Sequence, residues 1–505
     1  MKRLMPKPSR KPSRSRAKNK GLSRHRVGMQ LLEDRRLLAV WTVDDDGAQF
    51  DSADFTSIQD AIDGAASGDT ILVARGIYEE QLSVTTDDLE ILAAESSSSG
   101  GRWRGLSNVS SDVIIQAPTT AANLSLITID AEYVVVRGFD IRGLADEGLS
   151  IANAIEVVDG ASATIEGNRI SDIFLAAPTF DGQAINAILV GETGGAGDTF
   201  ARIIGNEISD YQKRGIVVRG TGTEAIISNN QVDGLGSTAV LAQNGIQVDS
   251  GASATIEGNY VTDNEYDNNE IGNPDDDDWA ATGILIYQAG EVYIYRNYTA
   301  DNDYGIYVFD TEDTLIQRNG VTDNEDAGIV VDTSSGSTLI GNEVWENDSV
   351  GIAVYDSDDV LITDNLVYRN QGTGIHIESA NTARIADNTV SRSGGNGIVL
   401  LDALAADIFF NEVNRNGGNG ILLLNSDDSY IEFNEVHRNE NYGIAMTNGS
   451  ELNRVIDNVL RGNEKSAIFE DASSGDNATN PNDVSDRGRD SDDRPSGRFI
   501  WFRGR

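Results

Sequence analysis

The sequence has no cysteine, so no disulfide staples any part of its 505 residues, and buried apolar side chains must hold whatever fold it takes. No apolar run is long enough to cross a membrane as a helix. The first 40 residues also lack the stretch of roughly 7–15 apolar residues that forms an ordinary secretory core. Positive charge is scarce beyond that point. The formal charge is −42; residues 1–40 hold thirteen Lys and Arg against Glu33 and Asp34, a net of +11, which leaves −53 on the other 465. So acidic a body is a poor partner for nucleic acid or an anionic membrane, and suits a soluble, cation-rich, extracellular setting.

What is present is a repeat. A Gly-Ile pair opens a unit at Gly283, Gly305, Gly328, Gly351, Gly374, Gly397, Gly420 and Gly443, with a first spacing of 22 and then 23 six times, and Ala467-Ile468 follows after 24. Within a unit the aliphatics fall in three short period-2 bursts, as in Ile352 and Val354, Val360 and Ile362, then Val367. Polar breaks such as Asp356-Ser357-Asp358-Asp359 and Asp364-Asn365 separate them, so each unit reads as three short strands joined by turns. One coil cannot shield its own apolar face, but coils stacked about 4.8 Å apart bury a continuous column. The predicted fold is all-β: a single-stranded parallel β-helix with three short strands per coil of about 23 residues.

An asparagine keeps the same beat at Asn297, Asn319, Asn342, Asn365, Asn388, Asn411, Asn434 and Asn458, always three residues after an aliphatic. Strands normally deplete asparagine. We expect it to take the left-handed backbone angles of a sharp bend, and its amides to hydrogen-bond from coil to coil as a ladder.

At the start, Thr56 and Gln59 have capping-box spacing, and Ile58, Ala61, Ile62 and Ala65 recur at i, i+3, i+4 and i+7. These residues predict a short amphipathic helix that plugs the open end of the stack. The segments Asp54-Phe55-Thr56-Ser57-Ile58-Gln59-Asp60-Ala61-Ile62, Gly68-Asp69-Thr70-Ile71 and Gly76-Ile77-Tyr78-Glu79-Glu80 resemble the entry pattern of the pectin-lyase-like superfamily. That resemblance implies a right-handed β-helix with its polysaccharide cleft on the first-strand face. Residues 1–40 read as a basic leader; Leu32-Glu33-Asp34-Arg35-Arg36-Leu37-Leu38 resembles the Leu-Glu-x-Arg-x-Leu-Leu leader signature of surface and secreted proteins of some bacteria, the alternative being a disordered basic arm. Residues 41–472 form the β-helix, with 41–95 as cap and entry strands, and 473–505 a polar, disordered tail ending in Phe499-Ile500-Trp501-Phe502.

In each Gly-Ile-x-Val-x strand the alternate residues point outward. One outward column reads Arg219, Asp249, Tyr287, Phe309, Asp332, Tyr355, Glu378, Leu401, Leu424; its neighbour reads Val217, Gln247, Leu285, Tyr307, Val330, Ala353, His376, Val399, Leu422. Tyr287, Tyr307, Phe309, Asp332 and Tyr355 are the expected substrate-binding set, because rings flanked by a few polar groups suit sugars. Arg219, Asp249, Lys213, Arg214, His376 and Glu378 are the candidate catalytic groups: cations to steady an enolate and a base to remove a proton. Asp275-Asp276-Asp277-Asp278, in the longest loop, is the candidate calcium site. Val399, Leu401, Leu422 and Leu424 are expected to form an exposed apolar patch covered by the Phe499 to Phe502 segment or a partner.

The catalytic motifs of related enzymes are absent: there is no Gln-Asp-Thr or Asp-Phe-Ile-Phe-Gly, no Trp-Ile-Asp-His, no Arg-x-Pro-x-x-Arg and no Asp-Pro-His-Glu. The expectation is a secreted or cell-surface monomer that binds an extracellular acidic polysaccharide and acts as a lyase or epimerase. The alternative is a non-catalytic surface or adhesion module.

Overall fold

The coil beginning at Val350 runs through three strands, Val350–Tyr355, Leu361–Thr363 and Leu366–Tyr368, before the chain comes round to Ile375–Glu378. Each strand pairs in parallel with its equivalent one coil on: Ile352 with Ile375, Ile362 with Ile385, Val367 with Val390. Over the residues that this computed structural model describes (38–94, 112–118, 125–143, 151–174, 185–195, 197–238, 241–267 and 281–485) the pattern builds three parallel sheets of 15, 16 and 16 strands. We call them the first-, second- and third-strand sheets after their order in the coil. Ile352, Val354, Val360, Ile362 and Val367 are fully buried, and their counterparts in other coils continue the same inward columns. The fold is a three-sheet parallel β-helix.

The bends explain the polar residues. In this coil Asp356, Asp359, Asp364 and Arg369 have positive φ of 43°, 56°, 56° and 59°, and each is followed by an inward residue: Ser357, Val360, Asn365, Asn370. The ladder asparagine is therefore not the left-handed residue, as the sequence suggested. The residue before it takes that conformation, which turns the asparagine side chain into the core. Asn388 shows the result. Its Oδ1 accepts from the backbone N–H of Asn365 and from Asn365 Nδ2, both at 2.9 Å, while its own Nδ2 donates to the Ile362 carbonyl at 2.9 Å. The same links run from Asn168 to Asn482 without a gap. A second ladder after the third strand links Asn264, Asn302, Asn324, Asn347 and Asn370, and resumes from Asn416 through Asn439 to Asn463. Ser393 interrupts it, its Oγ buried without a partner.

The second ladder also accounts for the repeated glycine. A Cβ on Gly351 would stand 2.7 Å from Asn370 Nδ2, from the Gly374 carbonyl and from Val367 Cγ1, so only glycine fits.

At the N-terminal end the helix Ile58–Gly64 buries Ile58, Ala61 and Ile62 against the core. Its N-cap is Ser57, not Thr56: Ser57 Oγ accepts from the Asp60 N–H at 3.2 Å. The partner of the cap comes from the residue just past the strand Gly76–Glu79. Glu80 accepts from the Ile58 and Gln59 N–H groups and from Ser57 Oγ, each at 2.9 Å, leaving Gln59 outside the expected box. At the other end the coils pass residue 472, where the sequence suggested they stop: Asp483–Ser485 pairs with Val459–Arg461. Among the described residues no helix is long and apolar enough to cross a membrane.

Two substitutions test the ladders. Asn388→Leu strands the Asn365 backbone N–H in the core, while Asn365 Nδ2 keeps the Leu339 and Thr363 carbonyls; at about 1–3 kcal/mol for the unsatisfied group it is expected to lower the denaturant midpoint and hydrogen-exchange protection at Asn365. Ser393→Asn is expected to do the reverse: it closes the second ladder and adds about 0.5–1.5 kcal/mol, read as a raised denaturant midpoint.

Candidate functional site

Side chains alternate along a strand, so the first-strand sheet turns every second residue outward, and in-register stacking turns sequence positions into columns. The first column runs as expected: Arg219 pairs with Asp249, then Tyr287, Phe309, Asp332, Tyr355 and Glu378. The second joins Gln247, Leu285, Tyr307, Val330, Ala353 and His376. A third column, not identified from the sequence, holds Asn153, Asn186, Arg214, Asn244, Thr282 and Tyr304. Its signal was available: from Arg214 onward it is the residue just before the glycine of each first-strand Gly-Ile pair.

At one end of the face the three columns interlock. Arg219 Nη2 donates to Asp249 Oδ2 at 2.8 Å, Gln247 Nε2 donates to the same oxygen at 2.6 Å, and Ser250 Oγ donates to Oδ1 at 2.8 Å. Gln247 Oε1 accepts from Arg214 Nε at 2.6 Å and from Asn244 Nδ2 at 2.9 Å. Arg214 Nη1 reaches Asn186 Oδ1 at 3.4 Å; Asn186 Nδ2 donates to Asn153, and Asn153 Nδ2 to Ser125, whose hydroxyl donates to Glu156. Asp249 is only 4% exposed, so it is no solvated surface acid. Burial, and then the charge of Arg219, push the Arg214 guanidinium down to about 10. Lys213 is buried beside them with its Nζ donating to the Ala242 carbonyl; burial, and then Arg214, push its ammonium down to about 7.

The next coils carry the rings. Tyr287 and Phe309 stack with centroids 5.6 Å apart and planes 5° from parallel; Tyr307 meets Phe309 edge-on at 6.3 Å and lies 5.2 Å from Tyr304 with the planes tilted by 51°. The Tyr307 hydroxyl donates to Asp332 Oδ2 at 3.1 Å, and burial, then Asp332, raise its pKa. Tyr287 stays 37% exposed, whereas Tyr304, Tyr307 and Tyr355 pack onto Ala327, Val330 and Ala353. Beside this edge Asp303, pushed up to about 7 by burial, accepts from the Ala281 N–H at 2.7 Å and the Tyr266 N–H at 3.1 Å, so both of its oxygens are occupied.

His376 Nε2 lies 3.1 Å from Glu378 Oε2, and the Tyr355 and His376 rings are 5.8 Å apart. This pair is six coils from Arg219, roughly 29 Å at 4.8 Å per coil. The candidate catalytic residues thus form two clusters rather than one. The apolar patch expected around Val399 is not an open surface: Val399 is buried and Leu401, Leu422 and Leu424 are half-buried. Asp275, Asp276, Asp277 and Asp278, and the segment Phe499 to Phe502, lie outside the described residues.

A family model described as a right handed beta helix region matches residues 327–484, and the model of the periplasmic copper-binding protein (NosD) family matches residues 235–391. No curated protein matches the chain. Among solved structures, the periplasmic alginate epimerase AlgG is 15% identical over 73% of this chain and 77% of that one, with a TM-score of 0.42. The A-module of mannuronan C-5 epimerase AlgE4 from Azotobacter vinelandii is 15% identical over 84% and 95%, with a TM-score of 0.37. XylC, in a complex with xylose, is 14% identical over 65% and 75%, with a TM-score of 0.41. At these values no residue role carries across. The sheets, the ladders and the family model agree on one conclusion: the chain is a right-handed parallel β-helix repeat protein.

Proposed function

We propose that this is an exported β-helix protein that holds an extended acidic polysaccharide along its first-strand face. The observation that carries the reading is the in-register run from Arg219 to Glu378, in which the stacked Tyr287 and Phe309 lie between a guanidinium at one end and the Tyr307 to Asp332 hydrogen bond at the other. An apolar platform with a few placed polar groups is what a sugar chain needs, and the coil spacing lets successive residues of a polymer meet successive coils. Export is supported by the leader-like sequence at Leu32 to Leu38 and by the periplasmic family matched over residues 235–391.

The geometry supports holding more than cutting. Removal of a C5 proton needs a base that substrate can reach, and Asp249 is buried beneath the three hydrogen bonds it accepts. His376 and Glu378 offer a base, but six coils from Arg219. A polyanion meeting a body of charge −53 also needs cations between the two, and from sequence alone we assign calcium to Asp275, Asp276, Asp277 and Asp278. The second reading is a rigid surface spacer, favoured by the unbroken ladder from Asn168 to Asn482.

A glycan array probed with the full chain tests both. The Tyr287→Ala/Phe309→Ala variant is expected to lose roughly tenfold or more in affinity for the polymer that the parent binds, the scale of about 1–2 kcal/mol of ring contact, with little change in melting because Tyr287 is exposed. Binding to a uronate polymer is expected to weaken in EGTA. A parent that binds nothing on the array, or a variant that binds as well as the parent, leaves the spacer. Unsaturated or epimerised product from uronate polymers would show that the face cuts as well as holds.

A further inference from the structure

From Asn168 to Asn458 the residue before every first-ladder asparagine has positive φ, and most coils fill that position with Gly, Asn, Asp or Arg. Two consecutive coils do not: Phe410 and Phe433 sit there at φ 57° and 58°. A bulky ring in this conformation meets a steric penalty that glycine and asparagine largely escape. Nothing is gained in the core, since Phe410 is 55% and Phe433 47% exposed. Strain kept at an exposed position points to a use for the ring.

We propose that this turn edge is a sugar-binding site for a neutral glycan, separate from the first-strand face and independent of its reading. Phe410 and Phe433 stack with centroids 5.3 Å apart and planes 13° from parallel, and Phe409 braces Phe410 edge-on at 5.6 Å. Together with Tyr430, which is 51% exposed, and with Asp407 and Glu432, they line a shallow trough. The next positions of the turn column on either side are the short, exposed Asp387 and Asp457, so the outer faces of the ring pair look onto carboxylates rather than onto further rings. Open ring faces accept the apolar face of a pyranose, and neighbouring carboxylates accept its hydroxyls. The four carboxylates outnumber the two cations at the site, Arg384 at 4.5 Å over the Phe409 ring and Arg454 paired with Glu432 at 2.9 Å, and in so acidic a body that balance disfavours an anionic glycan. The rings span only two coils, or roughly 10 Å, too short a patch to supply the ~800 Å² a side that a stable protein interface buries.

The site makes strain and binding separable. Phe410→Asn/Phe433→Asn installs the residue that Asn229 already provides at the equivalent corner. In calorimetric titration of the full chain with cellohexaose, xylohexaose and laminarihexaose, the parent is expected to bind at least one. The double variant is expected to lose at least tenfold in that affinity while its melting temperature stays equal or rises. Tyr287→Ala/Phe309→Ala is expected to leave this binding intact. The proposal is overturned if the parent binds none of the three, if the double variant binds as well as the parent, or if it melts lower, which would make the rings part of the fold. Loss of all binding in Tyr287→Ala/Phe309→Ala alone overturns it too, while upholding the first-strand face. Self-association of the parent that the double variant abolishes, seen by sedimentation, would assign the rings to a protein contact instead and equally overturn the sugar site.

Discussion

A coil that turns several times within about two dozen residues buries backbone N–H groups at its corners, where no strand partner reaches them. Everything else in this molecule depends on how those groups are satisfied. One left-handed residue makes the bend, the next points inward, and where that next residue is asparagine its amide accepts from the coil before it. An unsatisfied donor there would cost about 1–3 kcal/mol in every coil, enough to compete with the apolar burial that drives stacking. The ladder therefore also fixes register, and register is what brings Arg219, Tyr287 and Glu378 into a single outward column.

That column was legible in the residues alone because the Gly-Ile pair of each first strand marks the register, even where the step lengthens to 30 from Arg219 to Asp249 and to 38 from Asp249 to Tyr287. The corner was harder. Asp364 and Asn365 both tolerate left-handed angles, and sequence preference alone does not say which of the two bends and which turns inward. The fold decides, because only an inward amide meets its neighbours. The helix cap escaped for another reason: Glu80, which serves it, is distant in sequence from Ser57 and arrives only through a strand. The stretch after 472 looked like tail by composition, yet Asn482 still finds its place as the last rung, and the strand Asp483–Ser485 follows from it.

The face itself divides into regions of different character. Around Arg219 and Asp249 polar groups are buried and mostly bonded to one another, with Arg219 Nε and Asn244 Oδ1 left without a partner. Around Tyr287 and Phe309 the surface is apolar and partly open, and beyond it His376 and Glu378 stand close together. None of this division is visible in a list of residue types. The same aspartate reads as a solvated acid in sequence and as the centre of a hydrogen-bonded network in the fold, because Arg219 reaches it from the coil before while Gln247 and Ser250 close on it from its own.

The gap at Ser393 has a mechanical meaning. A stack whose layers touch only their immediate neighbours is as strong as its weakest seam, and here one seam lacks a cross-tie that the adjoining layers possess. Among the coils that carry the second ladder, this seam has only the Asn365 to Asn388 rung of the first as a ladder tie, so under tension along the axis it would part before the seams on either side of it.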